Sequence, residues 1–568
     1  MSLSASSKSF VAGVVAVGAL AVCLLAGTAS SAVAAVPSSA SLVAAAAAPP
    51  CTSGTQVTTA SGPVCGMTSD GVTSYLGIPY AAPPVGVLRW KPPAPVAPWS
   101  DTLQATMPGN VCTGPDANTG AVSGSEDCLT LNVQVPAGAR SSRLPVMVEI
   151  HGGGFLLPIG PASGAHLVSA GHVVYVAMNY RLGILGFMAN TALGRHSGDY
   201  GLQDQQASLR WVQRNISAFG GDPDNVTIFG QSAGGASVCA NVASPTAKGL
   251  FERGIPESGF YNAAIGPNQV WEPADCKSQL PTQRQAERAG ARFATKVGCA
   301  PTDIACLRAV PADKLVAAGG KVDDPTAGGT SATIAPTING TTLPMSPAKA
   351  FRTGHFNRVG LMNGVDRDEI NGGASLHAPL ANTASDFYRL IRRQYGSLAP
   401  RVFRHYPLDR FPSPFIAYRT VVADSDSVCP AITADHVLSR RIPVYAWQND
   451  DASMPPDFFP QFLDPTKPWG AYHIAADPFL FPNPAITLSP DQAALAQQFT
   501  DEALGYSRSG DPSPPRTPLW TRFGRRGHGR HDLMRLVPAG DSVLEPASVI
   551  RKQHHCRFWN AVTSPVRK

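Results

Sequence analysis

The sequence predicts an α/β fold on a largely parallel sheet, and three observations predict it. Residues 144–150, 172–179 and 226–229 are apolar, β-branched runs of the length expected for fully buried strands. A helical pattern over residues 201–219, carrying Leu202, Leu209, Trp211, Val212 and Ile216, separates the second run from the third. This strand, helix, strand order builds the crossover connections that parallel strands require.

The chain has 568 residues, enough for a large core, and it shows neither an internal repeat nor a linker. Residues 1–34 read as an export signal, with Lys8 ahead of an apolar stretch and Ala32-Val33-Ala34 as the cleavage site. Residues 35–568 then form a single domain with insertions, in the extracellular space and with no stable membrane span once the signal is removed. The net charge of +6 is modest and shows no clustered basic face, which argues against a nucleic-acid partner.

Ten cysteines follow the signal, and an even count in an exported chain reads as disulfides. Proximity pairs Cys51 with Cys65, Cys112 with Cys128 and Cys299 with Cys306, leaving Cys239 with Cys276 and Cys429 with Cys556 by elimination. No C-x-x-C spacing is present, so no thiolate metal site is expected.

Taken in order, residues 57–75 alternate like a hairpin, and the proline density of residues 77–93 excludes regular structure. Residues 129–135 read as an edge-like strand, and residues 220–223 as a turn. Beyond residue 280, helical patterns cover 283–310 (broken at 298–301), 384–394, 431–439 and 491–503, with strands at 358–363 and 442–447. Residues 321–331, 371–373, 455–468 and 507–518 read as loops, and the basic cluster at 522–530 as a solvated face.

Residues 230–234 read Gly-Gln-Ser-Ala-Gly between a strand and a helix, the pattern of a nucleophile elbow. Glycine on either flank permits a bend that lifts the Ser232 hydroxyl above the sheet, and the next helix aims its first amides at a developing oxyanion. Upstream, His151-Gly152-Gly153-Gly154-Phe155 stands at a strand end, where glycines let backbone amides turn into a cavity.

A serine hydroxyl needs an imidazole to take its proton, and the imidazole needs a carboxylate to orient it. On this arrangement acid and base follow the serine in that order. His473, in a loop beyond the strand at 442–447, is the best base, with His377 the runner-up; His528, His531, His554 and His555 lie in a polar terminal region. Asp366, Asp368 and Glu369 all follow the strand at 358–363, and spacing does not choose among them; Asp424 and Asp426 are outside candidates that more naturally anchor a turn.

Seven motifs in order carry a resemblance to the type-B carboxylesterase/lipase family of α/β-hydrolases. They are Gly77-Ile78-Pro79-Tyr80-Ala81, the SEDCLTLN run of residues 125–132, the His151 to Phe155 loop, Asn179-Tyr180-Arg181-Leu182-Gly183, Gly201-Leu202-Gln203-Asp204-Gln205, the FGGDP run of residues 219–223, and the elbow. The resemblance implies an α/β-hydrolase fold with helices on both faces of a large, mostly parallel sheet, a small N-terminal antiparallel sheet and long insertions. It implies Ser232 as nucleophile, Glu369 as acid, His473 as base, and the amides of Gly153, Gly154 and Ala233 as oxyanion donors. It also implies pairing of Cys65 or Cys112 with Cys128, and buried structural roles for Glu126, Arg181 and Asp204.

Three positions depart from the family pattern. Gln231 stands where many relatives carry Glu, which disfavours a choline ester; Ile370 follows the acid in place of Gly; and Asp477-Pro478 replaces Glu-Leu after the base. The expectation is a secreted serine carboxylesterase acting on a small-molecule or lipid ester, without metal or cofactor. A long-chain lipase or sterol esterase is the alternative, and a catalytically silent adhesion protein is a further one. Apolar loops at 155–158, 458–462 and 479–482 are candidate pocket walls, with ordinary packing as the competing reading.

Overall fold

Among the described residues, eleven strands pair into one sheet. In chain order they are β1 (Met67–Ser69), β2 (Val72–Pro79), β3 (Thr130–Pro136), β4 (Leu144–Ile150), β5 (Val174–Met178), β6 (Gly221–Gln231), β7 (Arg253–Glu257), β8 (Gly360–Asp366), β9 (Val444–Asn449), β10 (Asp532–Leu536) and β11 (Val543–Pro546). The computed structural model describes residues 49–116, 119–259, 280–319, 335–369, 381–455, 467–515, 517–524 and 531–563. The signal segment, Cys276, His377 and the loops at 321–331, 371–373 and 458–462 lie outside them.

The spatial order is β11-β10-β9-β8-β7-β6-β4-β5-β3-β2-β1. From β5 through β4 to β10 every neighbouring pair is parallel, and the pairs at both margins are antiparallel. Residues such as VYVAM in β5 are buried throughout, as a sheet covered on both faces demands. Alternate residues serve different cores: Val146, Val148 and Ile150 of β4 pack into one cluster, and Met147 into another.

Four helices bear on the site: α1 (Tyr200–Asn215), α2 (Ala233–Ala243), α3 (Pro414–Ala423) and α4 (Pro490–Ser509). Leu209, Trp211 and Val212 of α1 and Ala236 and Ala240 of α2 cover one face, while Leu495, Phe499 and Ala503 of α4 cover the other. From β4 the chain steps to β5 on one side and then to β6 on the other. Such a switch point opens a crevice at the carboxyl ends of the strands, where α/β sheets place their sites.

A separate small sheet joins Val57–Thr58 and Pro63–Cys65 antiparallel, with Leu103–Gln104 added in parallel. Disulfides Cys51–Cys65, Cys112–Cys128, Cys299–Cys306 and Cys429–Cys556 are present. Cys239 is also disulfide-bonded.

Three sequence expectations are corrected. The edge-like strand is β3, which lies inside the sheet between β2 and β5 with its central residues buried. The turn at residues 220–223 reduces to Gly220 at φ +87°; β6 starts at Gly221, opposite Leu144, and its register then shifts before Val226. Beyond residue 531 the chain is not a polar tail but β10, β11 and two helices, Ala547–Gln553 and Cys556–Thr563. These elements are short and mix charge with apolar positions, so no long apolar run announces them.

Candidate active site

Ser232 caps the end of β6 with φ 60° and ψ −124°, a conformation that side-chain-bearing residues rarely adopt. The neighbouring glycines explain how the turn fits. A Cβ on Gly230 or Gly234 would overlap the Ile150 carbonyl oxygen at the end of β4. The Ser232 amide donates to the Glu257 carbonyl at 2.9 Å, which ties the turn to β7. Ala233 then opens α2, so its amide sits at the positive end of the helix.

The glycine loop after β4 lies against this turn, since a Cβ on Gly152 would stand 2.9 Å from the Gln231 carbonyl oxygen and 3.3 Å from the Ser232 Cβ. Gly153 and Gly154 hold φ +94° and +64°. Among the described residues, the amides of Gly153, Gly154 and Ala233 donate to no protein acceptor. His151 braces the loop rather than facing it: its ring stacks on Tyr180 at 4.4 Å, and its carbonyl accepts from the Tyr180 hydroxyl at 2.8 Å. Burial lowers its pKa to about 4, so the ring is neutral at neutral pH.

His473 Nε2 lies 2.9 Å from Ser232 Oγ, and His473 Nδ1 is hydrogen-bonded to the Glu369 carboxylate. The other Glu369 oxygen accepts from the Asp366 amide at 3.1 Å. The three carboxylates that spacing left open therefore separate cleanly. Asp366 accepts from Asn449 at 2.7 Å, Asp368 accepts from Arg367 and from the Ala471 amide, and only Glu369 reaches the imidazole.

The ground beneath the site is acidic but not uniformly charged. Burial, followed by Asp477 and Glu369, pushes Glu257 well above the usual carboxylate range. Burial, followed by Glu369 and Glu257, does the same to Asp366. Burial raises Asp477 to about 6, with His473 pulling in the other direction. Burial and mutual repulsion thus disfavour the charged forms of Glu257 and Asp366 beside the Glu369–His473 pair.

Gln231 is a contact that sequence reasoning missed, having registered only a missing charge. Its side-chain amide donates to the His473 carbonyl at 2.6 Å. One candidate reading is corrected. Asp424 does not anchor a turn: it sits in a π-helical segment, Asp424–Val428, and binds the Nδ1 of His554, which is buried rather than part of a polar terminus. Of the two readings left open for the apolar loops, Phe155 and Phe479 follow ordinary packing, as core residues set against Phe187 and Phe499.

Glu126, Arg181 and Asp204 each enter an ion pair. Arg181 forks onto Asp204 with both contacts at 2.7 Å, and Arg89 pairs with Glu126 at 2.5 Å. Among the described residues no group of His, Cys, Asp or Glu is placed to hold a metal ion, and no helix is long and apolar enough to cross a membrane.

Comparison with known proteins agrees with this architecture. Residues 53–559 match the carboxylesterase family. The para-nitrobenzyl esterase of Bacillus subtilis is 33% identical over 488 residues, covering 83% of this chain and 90% of that protein. The cocaine esterase of Homo sapiens is 30% identical over 550 residues, covering 88% and 90%. The solved carboxylesterase of Geobacillus stearothermophilus superposes with a TM-score of 0.72 at 29% identity, covering 88% of this chain and 99% of that one. A serine poised on an imidazole and backed by a carboxylate, in a chain matched to this family nearly end to end, identifies a carboxylic ester hydrolase of the carboxylesterase family.

Proposed function

We propose that Ser232 is the nucleophile of a two-step ester hydrolysis, with His473 as general base and acid and Glu369 as the carboxylate that orients it. The observation that carries this reading is the chain of contacts from Ser232 Oγ through His473 to Glu369. His473 Nε2 takes the hydroxyl proton as Oγ attacks the ester carbonyl, and the amides of Gly153, Gly154 and Ala233 receive the oxyanion. The tetrahedral intermediate collapses, the imidazolium gives its proton to the departing alcohol, and an acyl-enzyme remains. Water, deprotonated by the same imidazole, then attacks the acyl carbon and releases the carboxylic acid and free Ser232. Glu369 stays ionised throughout, holding the imidazole in the right tautomer.

The preferred substrate is a short-chain ester of a neutral alcohol. Gln231 puts no charge beside the nucleophile, and the side chains of Phe155 and Phe479 are committed to the core. The relatives' names, a para-nitrobenzyl esterase and a cocaine esterase among them, support a small-molecule ester. Export fits the disulfides of the described residues, which persist in oxidising compartments.

The test is hydrolysis of p-nitrophenyl esters of increasing acyl length. Activity is expected to peak at short chains and to vanish in Ser232→Ala. An optimum on long, interfacial substrates would favour the lipase reading, and full activity in Ser232→Ala would overturn the mechanism.

A further inference from the structure

Glu369 and His473 stand on loops that leave the carboxyl ends of neighbouring strands, β8 and β9, and end more than one hundred residues apart in sequence. A hydrogen bond between two loop side chains keeps its geometry only if the loops themselves are held. The backbone just before each residue is held to the other. Asp368, adjacent to Glu369, donates its amide to the Ala471 carbonyl at 2.9 Å, and its carboxylate accepts the Ala471 amide at 3.0 Å. Gly470 keeps φ +66° there, and any Cβ on it would overlap the Asp368 carboxylate.

Arg419 of α3 closes the same junction from below. One arm of its guanidinium donates to the Trp469 carbonyl at 2.8 Å, and the other to the Asp368 carbonyl at 2.7 Å. The residue is 9% exposed, and the guanidinium lies over the rings of Trp469 and Phe415, 4.7 and 5.5 Å from their centres. Burial lowers its pKa to about 10, with Asp368 and Glu369 opposing the shift, so it stays charged at neutral pH. A buried guanidinium usually meets a carboxylate side chain. Here its two arms reach backbone carbonyls, one on the acid loop and one on the base loop.

We propose that Arg419 and Asp368 are positioning residues that clamp the acid loop to the base loop and thereby fix the Glu369–His473 contact. Neither touches substrate or reacting atoms; both act through the backbone of the residues that do. The proposal rests on the reading of Glu369 and His473 as acid and base. The fork geometry matters, because two carbonyls on different loops need two rigidly spaced donors, whereas a lysine offers one compact ammonium.

The experiment measures kcat and KM on a short-chain p-nitrophenyl ester for Arg419→Met, Arg419→Lys and Asp368→Ala, each normalised to sites titrated with a fluorophosphonate. Misplacing a catalytic pair by about 1 Å lowers turnover on the order of 100-fold. Arg419→Met is therefore expected to lower kcat per titrated site by about 10- to 100-fold with KM little changed, and Arg419→Lys to recover only part of it. Asp368→Ala, which keeps Arg419, is expected to lower kcat in the same way and serves if Arg419→Met does not fold. An unchanged kcat per titrated site, with only melting temperature or active fraction reduced, would overturn the clamp. Ser232→Ala and Glu369→Gln measured alongside separate the two failures: if they remain active, the underlying reading fails; if they are inactive while the Arg419 and Asp368 variants turn over normally, the clamp alone fails.

Discussion

The Gln231 side chain donates to the carbonyl of His473 at 2.6 Å, and the same nitrogen lies 3.4 Å from His473 Nε2. The residue before Ser232 therefore holds the residue proposed as the base, with no charge of its own. In Gln231→Glu an ionised carboxylate would face a carbonyl oxygen with no proton to offer. Losing a buried hydrogen bond of this kind costs about 1–3 kcal/mol, or roughly 10-fold or more in kcat/KM if it is felt in the transition state. The deficit relative to the native enzyme should narrow as pH falls from 8 toward 5, because a protonated carboxyl regains a donor. A pH–rate comparison on a neutral ester checks this, and a deficit that stays constant with pH contradicts it.

Glu369 and Asp366 are three residues apart but should respond oppositely to removal of charge. Glu369→Gln disturbs the partner of His473 Nδ1, and kcat should fall by roughly 1,000-fold or more, as loss of the correct imidazole tautomer does in serine hydrolases. Asp366→Asn replaces a carboxyl whose ionisation burial and Glu369 already disfavour, and kcat should stay within about threefold. Steady-state kinetics on both variants decides it, and equal losses would contradict the assignment.

Glu149 gives a pH signature in stability. It accepts from the Tyr175 hydroxyl at 2.5 Å and the Ala162 amide at 3.2 Å, yet burial raises its pKa to about 7. The folded chain therefore holds a proton that the unfolded chain releases between about pH 4.5 and 7. The favourable contribution is complete below that window and lost as pH rises through it. Glu149→Gln, which cannot ionise, should gain on the native enzyme by up to about 3 kcal/mol more at pH 8 than at pH 4.5. Urea unfolding at the two pH values measures the difference, and a gain that is larger at the lower pH contradicts it.

Arg181 and Asp204 should matter for folding and not for chemistry. Their side chains are 4% and 0% exposed, and Asp204 also accepts the Arg181 amide at 3.1 Å. Breaking a buried pair by removing one charge costs about 3–5 kcal/mol, so Asp204→Asn should lower unfolding stability by that order. The kcat per titrated site should be unchanged, and a selective loss of kcat would place the pair in the catalytic machinery instead.

Much of the fold and of the site was legible in the sequence because its signals are local. The strands β4 and β5 and the second half of β6 are largely apolar runs, and the glycines at 152, 230 and 234 face backbone carbonyl oxygens that a Cβ would crowd. The choice among Asp366, Asp368 and Glu369 was not legible from spacing, because just beyond a strand end successive side chains leave in different directions. Resemblance to the family pointed to Glu369, and the geometry shows why the other two are occupied elsewhere. Contacts made across long sequence distances were silent. Arg419 reaches Trp469 fifty residues on, and the Asp424–His554 pair spans 130 residues. Neither residue carries a pattern that names its partner.

The central claim is a covalent intermediate on Ser232, and trapping it is the most direct test. The native enzyme mixed with p-nitrophenyl acetate, quenched in acid within one turnover and mapped by peptide mass, should carry one acetyl group on Ser232, while Ser232→Ala should carry none. Hydrolysis that proceeds with no acyl group on Ser232, or with the group on another residue, would contradict the account.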